Sequence, residues 1–226
     1  MTLLTGAETV LYPDTFRMVA SMDTRKPDGK DSRMRLEVYH HDEKGTFMEI
    51  LSPARSRGTR FLQKDEDLWM YIPKSNSQRA IRLSPKESFQ NSVFSNSDVS
   101  DLHYSDDYTA RFGDPETISH PDLGETDTTV IIAEAKHGKA PYGKIVIWLR
   151  KSDNMPLRME YYSKSGILFK RMILTDFKQM AEKHRPSTMK MTSMVQDGAF
   201  TVMNIEEMEL LNTVNDRYFN LSYLTR

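Results

Sequence analysis

Apolar and polar residues alternate with period two along most of the chain. Residues 16–22 set Phe16, Met18, Ala20 and Met22 on one face, with Arg17, Ser21 and Asp23 on the other. Residues 33–40 set Met34, Leu36 and Val38 opposite Arg33, Arg35 and Glu37. Alternation of this kind marks half-buried strands. The pattern predicts further strands over 46–51, 58–64, 67–72, 128–135, 143–150, 156–163, 166–175, 187–195 and 199–208. Turn chemistry separates them: Asp28-Gly29, Lys44-Gly45, Arg57-Gly58, Ser152-Asp153-Asn154, Ser165-Gly166 and Asp197-Gly198. The connections are too short for helical crossovers, so the strands form a meander of antiparallel hairpins.

Several strands are apolar on both faces. Ile145 to Leu149 and Val130 to Ala133 are unbroken apolar runs, and 167–174 places Ile167, Phe169 and Ile173 opposite Leu168, Met172 and Leu174. A one-sided sheet would show a polar residue at every second site. These strands therefore need cover on both faces, from a second sheet, from helices or from a bound apolar ligand. Helix signals are sparse. One helical turn is expected at the extreme N-terminus, one within Asn215–Leu224, and a capped turn over Asp98–Leu102. Residues 85–112 are rich in Ser, Asn and Asp, and 113–127 read as an irregular connection. Hairpin patterning resumes unchanged afterwards, so residues 1–226 are expected to form one domain.

Composition narrows the classes. The 226 residues carry 31 Lys+Arg against 32 Asp+Glu, a formal net charge of −1. That balance offers no long-range attraction to nucleic acid or an anionic membrane. No stretch of apolar residues is long enough to span a bilayer as a helix. The chain has no cysteine, which excludes disulfides, thiolate metal sites and thiol nucleophiles within it. The first residues lack a basic segment and an apolar run, so they are not a signal peptide.

Motifs of catalysis are missing. The six histidines include the adjacent pair His40-His41, but neighbouring strand residues point to opposite faces, and no HExxH is present. Ser92, Ser95, Ser97 and Ser100 lie in a loop near His103 without a nucleophile motif, and mark caps and turns. The carboxylate pairs Asp106-Asp107 and Glu206-Glu207 are merely adjacent. Arg55, Arg57, Arg60, Arg79 and Arg82 interleave with Phe61, Trp69 and Tyr71, either as the wet face of strands or as a basic rim for phosphate or carboxylate headgroups. Methionine is abundant, with 15 residues, most of them within predicted strands. Thioethers serve equally as core filler and as an adaptable surface for varied apolar chains.

One ordered series of residues is distinctive. It runs Ser52-Pro53-Ala54-Arg55-Ser56-Arg57-Gly58-Thr59-Arg60-Phe61-Leu62, then Asp67-Leu68-Trp69-Met70-Tyr71-Ile72-Pro73, then Arg79-Ala80-Ile81-Arg82-Leu83-Ser84. Ser88-Phe89 and Phe94-Ser95-Asn96-Ser97-Asp98-Val99-Ser100-Asp101-Leu102 follow. The series resembles bacterial outer-membrane lipoprotein-sorting proteins related to LolA and LolB, most densely over 52–102. It departs from their pattern at Asn91, where the family usually has Gly, and at Val93 and Ser97, where it often has Asp.

The resemblance implies a mainly β fold: a strongly curved antiparallel sheet forming an incomplete barrel around a few short helices. Its concave face would hold the acyl chains of lipoproteins or other lipids and help sort them to the outer membrane. The protein would then be a periplasmic or envelope-associated monomer whose leader has been removed, with an inner-membrane donor and an outer-membrane acceptor as partners. It would be no enzyme and need no cofactor or metal. Phe61, Trp69, Met70, Tyr71, Trp148 and Phe169 are the candidate cavity-lining residues. The alternative on the same fold is an envelope-sensing or protein-interaction module.

Overall fold

The computed structural model describes residues 3–75, 79–100 and 104–226. Fourteen strands form one antiparallel sheet: β1 (Thr15–Arg25), β2 (Asp31–His41), β3 (Gly45–Ser52), β4 (Arg60–Lys64), β5 (Asp67–Tyr71), β6 (Ile81–Leu83), β7 (Tyr108–Phe112), β8 (Glu116–His120), β9 (Gly124–Ala135), β10 (Lys144–Arg150), β11 (Pro156–Tyr162), β12 (Leu168–Met180), β13 (Lys183–Ser193) and β14 (Phe200–Leu210). Their order is β6-β5-β4-β3-β2-β1-β14-β13-β12-β11-β10-β9-β7, with β8 also on β9. Two meanders are thus sewn together where the first strand pairs with the last, from Phe16–Leu210 to Arg25–Phe200. Thr24 and Thr201 seal this seam with a buried hydroxyl pair at 2.9 Å.

The alternation read from the sequence is realised. Phe16, Met18, Ala20, Met22, Met34, Leu36 and Val38 are all buried in one core. Phe61 of β4 and Tyr108 of β7, which belong near opposite ends of the strand order, share that core. The sheet must therefore curl until its ends approach each other. Lys139 beside β9 reaches Glu66 beside β4 across this approach, at 3.0 Å. The barrel remains incomplete, because β6 and β7 do not pair. These two edges are consecutive in sequence, so the segment between them crosses the gap. Its Phe89, Phe94 and Val99 enter the core.

The strands apolar on both faces have cover on both. Ile145, Ile147 and Leu149 face the main core, while Val146 and Trp148 join an outer cluster with Ile118, Val130 and Leu157. The β8–β9 hairpin provides that cover. His120 Nε2 lies 2.9 Å from the Leu174 carbonyl, and the Asp176 amide donates to Asp122 at 2.6 Å. A second outer cluster, with Phe47, Leu62 and Tyr71, lies under the C-terminal segment through Val214, Phe219 and Leu224.

Three strands depart from expectation. β7 and β8 run through stretches read as loop or irregular connection, and β6 lies just before them where no strand was marked. All three are short and largely exposed, so water replaces one apolar row of the usual pattern. β12 also runs five residues past its predicted end. Asp176, at φ 58°, interrupts the alternation there, and the Ala181-Glu182 turn (φ 45° and 66°) leads directly into β13. Gly45 is indispensable to its turn: at φ 111°, an added Cβ would lie 2.1 Å from the Gln63 carbonyl oxygen.

The N-terminal helical turn is a nine-residue helix, α1 (Leu3–Leu11). Short helices α2 (Asn96–Ser100) and α3 (Tyr104–Asp107) lie in the gap-crossing segment, and α4 (Leu221–Leu224) near the C-terminus. The end of the turn expected over 98–102 and the histidine at 103 lie outside the described residues. Asn91 adopts φ 62°, the left-handed conformation that glycine usually supplies. Asparagine tolerates this region better than most residues, so the family's turn persists without its glycine.

Candidate functional site

The sequence places apolar side chains at positions 4, 7 and 11, a helical spacing that puts Leu4, Ala7 and Leu11 on one stripe of α1. All three are buried. The stripe lies on the inner face of the sheet, nearest β13 and β7, and shares a cavity wall with strands β11 to β14. Methionines converge beneath it: Met159 of β11, Met172 of β12, Met189 and Met191 of β13, and Met203 of β14. The enclosed free space is about 30 Å³. That volume holds roughly one water-sized group. The cavity is therefore filled by α1 itself.

Polar groups gather at one side. Asp98 lines the cavity and accepts from Tyr142 at 2.9 Å, from the Ser95 amide at 2.7 Å and from Lys170 at 3.1 Å. The Tyr104 and Tyr161 hydroxyls lie 3.4 Å apart. Burial pushes the phenols of Tyr104, Tyr142 and Tyr161 well above the ordinary tyrosine range, with the Asp98 carboxylate adding to each shift. Tyr12 is pushed up to about 12 by burial. These tyrosines are neutral hydrogen-bonding walls at physiological pH. On α1, Glu8 accepts from the Ser105 amide at 2.9 Å and hydroxyl at 3.3 Å, which ties the helix to α3.

The six residues singled out from the sequence do not assemble into one site. Phe61 and Met70 face the main core: Phe61 packs on Phe89 with ring centroids 5.0 Å apart, and the Gln90 amide approaches the Met70 sulfur at 3.6 Å. Trp69 and Tyr71 lie on the opposite face, in the cluster under the C-terminal segment. Trp148 belongs to the outer cluster below the β8–β9 hairpin, with the Arg158 guanidinium 3.6 Å above its ring. Phe169 is 38% exposed and lines a groove on the rim. None of the six lines the methionine cavity. Periodicity assigned their faces correctly but could not say which face was concave.

The other candidate groups are engaged in ordinary structure. His40 and His41 diverge as expected: His40 is buried with Nδ1 2.9 Å from Thr46 Oγ1, and His41 sits edge-on to Phe219. Among the described residues, no three His, Asp or Glu side chains are placed to hold a metal ion. Ser95 and Ser97 hydroxyls pair at 3.0 Å, and Ser100 bonds back to the Asn96 carbonyl. Glu206 and Glu207 diverge to Arg35 and Arg17. Arg60 pairs with Glu49, Arg82 with Asp67, and Arg57 donates to the Leu51 carbonyl. No helix among the described residues is long and apolar enough to cross a membrane.

Known proteins with this architecture share it over nearly the whole chain. A LolA superfamily protein of Nitrosomonas europaea superposes with a TM-score of 0.85 at 25% identity, covering 97% of this chain and 96% of that one. A Vibrio parahaemolyticus domain described as an outer-membrane lipoprotein-sorting protein gives 0.80 at 25% identity, covering 94% and 92%. A DUF1329 family protein of Desulfovibrio piger gives 0.85 at 24% identity, covering 98% and 96%. No curated protein matches. A family model described as an uncharacterized protein matches residues 42–226. The chain belongs to that family, and its curled, unclosed sheet has the LolA-like fold of these relatives.

Proposed function

We propose that the whole chain acts as one carrier domain that takes up the acyl chains of lipoproteins or other lipids in the methionine-lined cavity. The observation that carries this reading is the pairing of an apolar, adaptable wall with a short helix as its plug. Five methionines can reshape around a chain of any saturation or length. The cavity is nearly full with α1 in place, so loading requires the helix to move aside.

The energetics favour that exchange. Removing the α1 stripe from the wall costs a few kcal/mol of apolar burial. An acyl chain of about a dozen methylenes gains on the order of 10 kcal/mol when it leaves water, at about 0.8 kcal/mol each. No covalent chemistry is needed, and release to an outer-membrane acceptor needs only a better apolar site and the return of α1. Such a carrier works in the aqueous periplasm, between an inner-membrane donor and that acceptor. The resemblance to proteins named for lipoprotein sorting supports this reading.

Native mass spectrometry of the purified protein, paired with lipid extraction, tests it. Acyl lipid bound at about one per chain, or saturable uptake of a fluorescent fatty acid, is the expected result. A clean apo mass with no uptake overturns it. That outcome would favour an envelope-sensing or interaction module, for which the unpaired β7 edge, with Phe112 61% exposed, is the suitable surface.

A further inference from the structure

Two neighbouring grooves on one rim of the sheet have a chemistry that the apolar cavity does not use. The first, about 360 Å³, lies between the β1–β2 turn, the start of β12, the β13–β14 turn and the segment around 86–93. The second, about 330 Å³, lies between the same β1–β2 turn, the loop carrying Arg55, and Gln90. Lys26 and Asn91 line both, so the two spaces adjoin.

Their walls carry Arg25, Lys26, Arg33, Arg55, Lys86 and Lys170, and no aspartate or glutamate. In a chain with 32 acidic and 31 basic residues, this is a pronounced segregation of sign. Three of the cations are answered from outside the grooves: Arg25 by Asp31 at 2.7 Å, Arg33 by Asp23 at 3.4 Å and Lys170 by Asp98 at 3.1 Å. Among the described residues, Arg55 and Lys86 form no ion pair with a carboxylate, and Lys26 has only the nearby Asp28 carboxylate, which it helps hold below the ordinary aspartate range without a direct ion pair. Lys164 stands beside Lys86, and contact with that second ammonium holds its pKa below the ordinary lysine value.

The wall between the grooves is strained. Gln90 and Asn91 take φ 49° and 62° in succession, although neither is glycine. Such outliers persist where the surroundings over-determine them, and they concentrate at ligand sites. Here the buried Phe89 ring anchors the segment, and the Ser92 amide closes it onto the Phe89 carbonyl at 2.9 Å.

The first groove is also partly apolar. Phe169 (38% exposed) and Val195 (50% exposed) face the same space as the lysines. A free inorganic anion has no use for them, whereas the glycerol and first methylenes of a lipid do. Lys170 connects this groove to the interior, because its partner Asp98 lines the methionine cavity.

We propose that the two rim grooves form a headgroup site for the phosphate of an anionic lipid, with Lys26, Arg55 and Lys86, none of them in a direct ion pair, as its cations. The proposal rests on the carrier reading and adds to it a preference for lipids whose headgroup bears net negative charge. A phosphate placed there gains charge-assisted hydrogen bonds without displacing an existing ion pair of these three residues.

Calorimetric titration with short-chain phosphatidylglycerol, phosphatidylcholine and inorganic phosphate, in about 50 mM salt where screening is weak, tests the site. Exposed charge contacts are individually weak, so the expected preference for phosphatidylglycerol over phosphatidylcholine is roughly ten-fold. K26E/K86E should bring that ratio to about one, and R55E should lower it part of the way. Lys183→Glu, at the other end of β13 from the grooves, should leave it intact, with circular dichroism reporting the fold of every variant. A wild-type ratio near one, or a ratio that survives K26E/K86E, overturns the headgroup site while acyl carriage stands. Binding of inorganic phosphate with neither lipid bound overturns both readings.

Discussion

Lys170 and Asp98 form an ion pair at 3.1 Å whose two ends line different spaces: Asp98 the apolar cavity, Lys170 the rim groove. Their side chains are 8% and 2% exposed, so neither charge has water to fall back on. Tyr142 donates to the carboxylate at 2.9 Å and accepts from the ammonium at 3.0 Å, which completes a closed network.

Breaking that pair from one side strands a buried charge. Lys170→Met should destabilise the protein by about 3–5 kcal/mol in urea unfolding. The double variant D98N/K170M should lose clearly less than the sum of the single changes, because both charges leave together. Additive losses would mean that the pair is not coupled.

The docking of α1 should be the weakest part of the fold. Leu4→Ala and Leu11→Ala each remove a buried side chain from a terminal helix, a loss of about 2–3 kcal/mol confined to that element. Amide exchange over residues 3–11 should accelerate while the β1–β14 seam stays protected. Uptake of a fluorescent fatty acid should quicken by roughly ten-fold or more. Unchanged uptake with a loosened helix would show that α1 does not guard the cavity.

Filling the cavity should separate ligand binding from stability. Met189→Trp puts a larger side chain into a space of about 30 Å³. It should weaken acyl-probe binding at least ten-fold at a cost of about 1–3 kcal/mol in stability. Trp148→Ala on the outer face should cost about 3–5 kcal/mol and leave probe affinity unchanged in the folded fraction. The opposite pairing of effects would move the acyl site to the outer cluster.

The buried tyrosines should resist ionisation. Tyr12 is raised to about 12 by burial, and Tyr104, Tyr142 and Tyr161 are raised further by burial and by Asp98. An unfolded tyrosine titrates near 10. Between that value and the folded pKa the unfolded chain releases protons that the native protein keeps. The stabilisation from neutral tyrosine is therefore complete below pH 10 and declines as pH rises through the folded values. Phenolate absorbance should show these four rings ionising only together with unfolding. Reversible titration near pH 10 in the folded state would mean that they reach water.

Periodicity in the sequence marked eleven strands, and their connections specified antiparallel neighbours, because side-chain direction repeats every two residues regardless of what lies beyond the strand. It failed at β6, β7 and β8, whose exposed edges need no apolar row. The series from Ser52 to Leu102 carried the family resemblance, and even its departure at Asn91 preserved the turn by keeping a residue that accepts left-handed backbone.

The chain by itself determined which residues are apolar, how they alternate and where the hairpins turn. Trp69, Trp148 and Phe169 stood out there because large aromatics dominate burial wherever they lie. Only the closing of β1 onto β14 decided that the concave face belongs to Phe61, Met70 and the methionines, and that the two tryptophans lie outside it. The reason is physical: alternation is local and symmetric between the two faces of a strand. The direction in which a sheet curls is set by pairings between residues nearly two hundred positions apart, and by the helix that comes to rest against the face they enclose.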